Sequence, residues 1–289
     1  MPELPEVEVV KRSLEKKIQN LIIKKVKIND DKLRYRVNKK EILKLVGMRI
    51  KKVQRRSKFL IFFFDQNYLM LAHLGMTGKF FFIDKRKKKY KTSFYYNLDK
   101  VKDQKHDRII FFLEKKQKLI YNDVRKFGFI KIIKLDNLSN NFHLKNLGPE
   151  PLKKGYNSEY FKKYTKGKKR SIKNILMDQK FVSGLGNIYV NEILFLSGVK
   201  PMRKVKNLKN AEINKIVSFT KKILREAIKY GGSSIKDFST ISGKEGTFQQ
   251  HFRVYGRKGE KCSNTDCNKS IIKLSISNRG TFYCSSCQK

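Results

Sequence analysis

Apolar positions change period along the chain, and each change marks a different kind of element. Val7, Val10, Leu14, Ile18 and Leu21 recur at three- and four-residue spacing, so residues 5–20 read as an amphipathic helix with Pro5 in its first turn. From about residue 22 to 135 the pattern breaks into short runs rich in Phe, Ile, Val and Tyr. Lys58–Phe64, Tyr68–Leu74, Phe80–Ile83, Arg108–Leu113, Lys118–Tyr121 and Phe129–Leu135 are strand-sized. Polar interruptions such as Asp65-Gln66-Asn67 and Glu114–Lys118 read as hairpin turns, and the lysine run Lys85–Lys89 as an exposed loop. Successive short strands of this kind predict an antiparallel sandwich or barrel.

Beyond residue 151 the period becomes helical. Lys168–Asp178, Asn187–Ser197 and Asn210–Tyr230 are the helix candidates, the last stopping at Gly231-Gly232. The final 35 or so residues return to short strand-like pieces and carry every cysteine. The predicted class is α+β multidomain. An antiparallel β-sandwich with an N-terminal helix spans 1–135, a linker 136–151, a helical domain 152–250 and a small cysteine-bearing β-hairpin 251–289.

Composition narrows the possible partners. Against 25 acidic residues stand 68 Lys and Arg, a net charge of +43 spread along 289 residues. Such a surface calls for a polyanion, most simply nucleic acid bound through its phosphates, although a lysine-, asparagine- and isoleucine-rich composition is also what AT-biased codon usage produces. With 39% hydrophobic and 12% aromatic residues the chain can bury a core, which excludes wholesale disorder. No apolar run approaches the ~20 residues of a membrane span, and the start lacks the features of a secretory signal. A cytoplasmic location with no membrane partner is therefore expected.

Two constellations carry chemistry. Cys262, Cys267, Cys284 and Cys287 form C-x4-C-x16-C-x2-C, a spacing that can present four thiolates to one Zn²⁺. Two disulfides are the alternative, disfavoured in a reducing compartment. Four thiolates leave no open coordination position, so one zinc per chain would be structural. At the other end, a penultimate proline permits removal of Met1, and Pro2 would then expose a secondary amine, a nucleophile able to attack a sugar C1′. Glu3, Glu6 and Glu8 lie beside it in a chain poor in acids, so a carboxylic acid could protonate the sugar or the leaving base. Taken alone, the same residues also read as a helix start whose glutamates complement the dipole.

Met1-Pro2-Glu3-Leu4-Pro5-Glu6-Val7-Glu8 resembles the N-terminal signature of the bacterial formamidopyrimidine-DNA glycosylases. Further segments match that family in order: Gln54–Lys58, His73-Leu74-Gly75-Met76-Thr77-Gly78, Asp123-Val124-Arg125-Lys126-Phe127-Gly128, Leu147–Pro151, Gly184–Asn191, Gly231–Phe238, Val254–Gly259 and Thr281–Cys284. The resemblance spans essentially the full length. The endonuclease VIII enzymes, which prefer oxidised pyrimidines, share the plan but usually differ at the position of Leu4.

The resemblance implies a bifunctional glycosylase and abasic-site lyase of base excision repair. Such an enzyme removes 8-oxoguanine and formamidopyrimidines from duplex DNA, acting as a nucleoid-associated monomer. It makes Pro2 the Schiff-base nucleophile, Glu3 the general acid, Lys58 the proton donor of β-elimination and Arg279 the residue assigned to δ-elimination. Met76, Arg125 and Phe127 would fill the space left by the flipped nucleotide. His106 and Arg170, with His73 a weaker candidate, would contact phosphates. The helical domain becomes a helix–two-turns–helix, with Asn187 as helix N-cap and DNA donor, and Ser239–Gly246 a flap over the flipped base. The cysteine hairpin becomes a zinc finger. The chain departs from the family in its C-x4-C pair, usually C-x2-C, and in Asn268 where glycine is usual, a residue that tolerates the left-handed backbone of a knuckle. A rival from another class is a decayed DNA-binding module that retains the helix–turn–helix and the zinc hairpin.

Overall fold

The computed structural model describes residues 1–84, 89–91, 104–233 and 247–289. The expected flap Ser239–Gly246 and most of the lysine run Lys85–Lys89 lie outside the described residues; Lys89 itself opens a short strand. The chain divides into two compact units, 1–145 with 231–246, and 146–230 with 247–289. The segment 136–151, expected as a linker, is thus shared between them.

The first unit is a sandwich of two antiparallel sheets capped by a helix. Helix α1, Leu4–Ile18, buries Leu4, Val7, Val10, Leu14 and Ile18 on one stripe. Each fully buried aliphatic side chain contributes roughly 1.5–3 kcal/mol, more than helix propensity alone could supply. The strands are β1 (Ile23–Ile28), β2 (Ile50–Arg56), β3 (Phe59–Phe64), β4 (Tyr68–His73), β5 (Lys79–Ile83), β6 (Lys89–Lys91), β7 (Asp107–Leu113), β8 (Gln117–Asn122) and β9 (Phe129–Lys134). One short helix, α2 (Lys39–Leu43), follows β1. One sheet has the order β1-β7-β8-β5-β6 and the other β2-β3-β4-β9.

Strand β3 shows why a continuous apolar run suits this place. Leu60, Phe62 and Phe64 join the main core with α1 and the first sheet, while Phe59, Ile61 and Phe63 pack on the outer face with Leu69, Leu71 and Phe129. Both faces of the strand are covered, so the alternation of a half-exposed strand is absent. The six strands read from sequence recur within a residue or so of the expected ends.

The second unit contains α3 (Ser158–Thr165), α4 (Ile172–Met177), α5 (Asn187–Leu196), α6 (Asn210–Lys229) and a hairpin of β10 (Ile272–Ile276) with β11 (Arg279–Tyr283). Helix α4 begins later than the sequence pattern indicated. Ser171 caps it, its side chain accepting from Asn174 N, and pairs through its backbone with Lys204. Apolar α5 is the buried centre of this unit. Between α4 and α5 the chain is stapled by Gln179, whose Oε1 accepts from Gly184 N at 2.8 Å while its Nε2 donates to Leu185 O at 2.8 Å. Among the described residues no helix is long and apolar enough to cross a membrane.

Candidate functional site

In the first unit the chemistry-bearing residues gather around the start of α1. Pro2 and Glu3 are buried, and Glu3 occupies the N-cap position. Glu6, one turn on, accepts from Glu3 N at 2.9 Å through Oε2. Its other oxygen accepts from Ser233 N at 2.9 Å and Ser233 Oγ at 3.1 Å. Glu6 therefore fixes the backbone at Glu3 and ties α1 to the chain entering residue 233.

Lys58 is buried as well, in the two-residue turn Ser57-Lys58 joining β2 to β3. Ser57 adopts a left-handed φ of 55°, and its carbonyl accepts from Arg55 at 2.9 Å, so the turn is held from below. Arg55 is in turn paired with Glu8 of α1 at 2.9 Å. The Met1 α-amine feels several charged neighbours. Burial holds its pKa below the ordinary value, and the Lys58 and Arg125 charges act the same way, against the opposing carboxylates of Glu3 and Glu6.

His73 ends β4, its ring packed against Phe59 and Phe129, both of which also meet His143. Burial first, then the charges of Lys58 and Arg34, push its pKa down to about 4. The ring is thus neutral near pH 7, and Nδ1 accepts from Gly75 N at 3.0 Å. Met76, Arg125 and Phe127 are exposed and carried by two neighbouring segments, with the Arg125 guanidinium 4.6 Å from the Phe127 ring centroid. His106, half-buried, receives a hydrogen bond at Nδ1 from Arg108 at 3.1 Å, which assigns its own proton to Nε2.

The remaining expected residues lie in the second unit. Asn187 is not the N-cap of α5. That position is Gly186, and Asn187 is the first helical residue, its Nδ2 donating to Gly280 O at 2.9 Å. The amide is used to hold the cysteine hairpin rather than to close the helix. Lys173, which no pattern in the chain singles out, is buried with Nζ 2.7 Å from Thr281 Oγ1 and 3.2 Å from Gly280 O. Asn191 Oδ1 accepts from Phe282 N at 2.9 Å, so α4 and α5 together grip the three residues that follow Arg279. Arg279 itself is exposed beside the turn Ser277-Asn278, both residues left-handed. Arg170 is exposed and paired with Asp178 at 2.7 Å.

The four cysteine sulfurs lie within 4.8 Å of one another, with Cys262–Cys287 at 3.8 Å and Cys267–Cys284 at 3.6 Å. A tetrahedral ion with metal–sulfur bonds of ~2.3 Å sets its sulfurs about 3.8 Å apart, whereas a disulfide needs about 2 Å. The residues fit a metal. Asn264 Nδ2 donates to Cys287 Sγ at 3.1 Å, and the Lys269 N–H helps hold the Cys267 thiol down to about 7. Phe195, Val254, Ile271 and Phe282 bury the cluster. Asn268 is not left-handed in this knuckle, so the longer C-x4-C loop turns without the conformation expected there.

Comparison with known proteins agrees with this arrangement. Residues 1–130 match the formamidopyrimidine-DNA glycosylase N-terminal domain, and residues 147–239 match the H2TH domain of the same family. The chain belongs to the formamidopyrimidine-DNA glycosylase family. It is 41% identical over its full length, and that of its relative, to the formamidopyrimidine-DNA glycosylase of Rickettsia bellii. It is 40% identical to that of Rickettsia conorii, covering 100% of this chain and 99% of the other. Among solved structures, Lactococcus lactis Fpg in complex with DNA containing an abasic site aligns with a TM-score of 0.85 at 35% identity, covering 99% of both chains. The wild-type form of that protein with DNA containing N7-benzyl-Fapy-dG aligns with a TM-score of 0.84 at 34% identity, covering 100% of both.

Proposed function

We propose that this chain excises oxidised purines, 8-oxoguanine and formamidopyrimidines, from duplex DNA and then cleaves the strand at the resulting abasic site. The observation that carries the reading is the placement of buried Pro2 and Glu3 at the head of α1, with Lys58 charge-coupled to the neighbouring amine. An amine must be unprotonated to attack, and at the adjoining Met1 α-amine burial favours the neutral form against the opposing carboxylates of Glu3 and Glu6.

After removal of Met1, the Pro2 nitrogen attacks C1′ and the C1′–base bond breaks. The departing base takes a proton, and Glu3 is the acid positioned to assist. The C1′–O4′ bond then breaks as O4′ takes a proton, leaving an iminium that acidifies a C2′ hydrogen; that proton passes to water and β-elimination expels the 3′ phosphate, with Lys58 as the proton donor. Arg279 stabilises phosphate charge during the second elimination, a role suited to a guanidinium. Met76, Arg125 and Phe127 occupy the gap in the duplex, and His106, His73, Arg170 and Asn187 hold the backbone. Cys262, Cys267, Cys284 and Cys287 hold Zn²⁺, which supplies rigidity to the hairpin bearing Arg279. The protein acts as a monomer in the bacterial cytoplasm, on damaged double-stranded DNA.

The test is excision from duplexes containing 8-oxoguanine or thymine glycol, assayed separately and in competition. Faster turnover of 8-oxoguanine is expected. Preference for thymine glycol would make this an enzyme of the endonuclease VIII kind, and binding without release of any base would make it a decayed module.

A further inference from the structure

The two segments that carry Met76 and Arg125–Phe127 are both crossovers between the sheets. One leaves β4 and enters β5; the other leaves β8 and enters β9. Since β4 pairs with β9 through His73 and Phe129, and β8 with β5 through Asn122 and Lys79, the crossovers run side by side in opposite directions. Their backbones touch. A Cβ on Gly75, whose φ is +59°, would collide with Phe127 C and Gly128 N, and one on Gly128 would collide with the Tyr121 hydroxyl.

At the seam lies Asp123, with no solvent exposure. Its Oδ1 accepts from Thr77 Oγ1 at 2.5 Å and its Oδ2 from Gly128 N at 2.8 Å. Thr77 Oγ1 in turn accepts from Arg125 N at 3.0 Å. Arg108 Nε donates to Asp123 O at 2.9 Å, fixing the main chain beneath. The hydroxyl of one crossover thus links a buried carboxylate to the backbone of the very residue that would enter the duplex from the other.

We propose that Asp123 and Thr77 are positioning residues that join the Met76 turn and the Arg125–Phe127 segment into one wedge, so that the three side chains enter DNA together. This rests on the reading of those three as insertion residues. Insertion must displace stacked bases, and two segments moving independently would lose conformational entropy on entry that a joined pair has already given up in folding. Chemistry at C1′ of a site that is already abasic needs less of this work.

The test compares Thr77→Val, which keeps the shape but removes both hydrogen bonds, with Thr77→Ser, which restores them. Two readouts are used: single-turnover release of 8-oxoguanine against cleavage of a pre-formed abasic site, and the rise in 2-aminopurine fluorescence on binding a duplex with a non-hydrolysable carbocyclic 8-oxoguanine nucleotide, which reports unstacking of an intact lesion without chemistry. Thr77→Val is expected to slow base release and fluorescence rise tenfold or more, leave abasic-site cleavage within twofold and melt within a few degrees of the native chain. Thr77→Ser is expected to recover at least half of the lost rate. Native rates of base release and unstacking in Thr77→Val overturn the proposal, as does an equal loss on abasic sites. If the native chain releases no base, the proposed function fails, and the fluorescence comparison still decides the wedge.

Discussion

Glu6 offers a stability test whose magnitude follows from its partners. The carboxylate is 3% exposed and accepts hydrogen bonds from Glu3 N, Ser233 N and Ser233 Oγ. Glu6→Gln keeps the shape but replaces one acceptor oxygen with a donor. The remaining oxygen satisfies most donors by facing Ser233, which turns the amide toward Glu3 N. One buried N–H then faces another donor, a cost of about 1–3 kcal/mol, and the two surviving bonds fall from charge-assisted to neutral strength, about 1 kcal/mol more. Gly232 packs against the same carboxylate: a Cβ built there would lie 3.1 Å from Glu6 Oε1. The total of about 2–4 kcal/mol corresponds to a fall in Tm of roughly 5–15 °C for a unit of this size. Thermal unfolding followed by calorimetry measures it, and excision of 8-oxoguanine should fall with it because Glu3 loses its anchor. A variant melting within about 1 °C of the native chain would refute the reasoning.

Two further outcomes follow from the same geometry. Cys284→Ser should reduce bound zinc from about one per chain to a small fraction by elemental analysis, and weaken DNA binding, since an ion held by the four thiolates would organise the hairpin that carries Arg279; unchanged metal content would reject the ligand set. His73 is held down to about 4, below the 6.5 of a free histidine, so between these values the unfolded chain binds more protons than the folded one. Its stabilising contribution is therefore complete above pH 6.5 and lost as pH falls toward 4, by at most about 3 kcal/mol. Urea unfolding at pH 7, 5 and 4 should show a shallower decline in His73→Gln than in the native chain, with His143 leaving a residual slope; identical declines would contradict the assignment.

What the sequence disclosed depended on how plainly burial was written in it. Strands β3, β4 and β7 are dense in apolar residues and were legible at once. β1 and β2, IKKVKI and IKKVQRR, bury only their first and fourth residues fully, and each contains a register shift, so lysine hid them. Helix α3 was missed for a related reason: Phe161 and Thr165 are its only buried residues, and its start is marked by Asn157, whose side chain accepts from Tyr160 N. The four cysteines and Pro2 stand out as candidates because the chemistry proposed for them is local to a short motif. Asp123 and Lys173 were not, because what distinguishes them is partners 46 and 108 positions away. In a chain with 68 basic residues, a buried lysine is indistinguishable by pattern from a solvated one.

The central claim is that the Pro2 nitrogen bonds covalently to a sugar carbon of damaged DNA. Borohydride reduction during reaction with an 8-oxoguanine:cytosine duplex tests it directly, comparing the native chain with Pro2→Gly. A stable protein–DNA adduct is expected whose N-terminal peptide carries the nucleotide at Pro2, and its loss in the variant while damaged-DNA binding persists. An adduct of equal yield in Pro2→Gly, or one mapped to a lysine in the native chain, would contradict it.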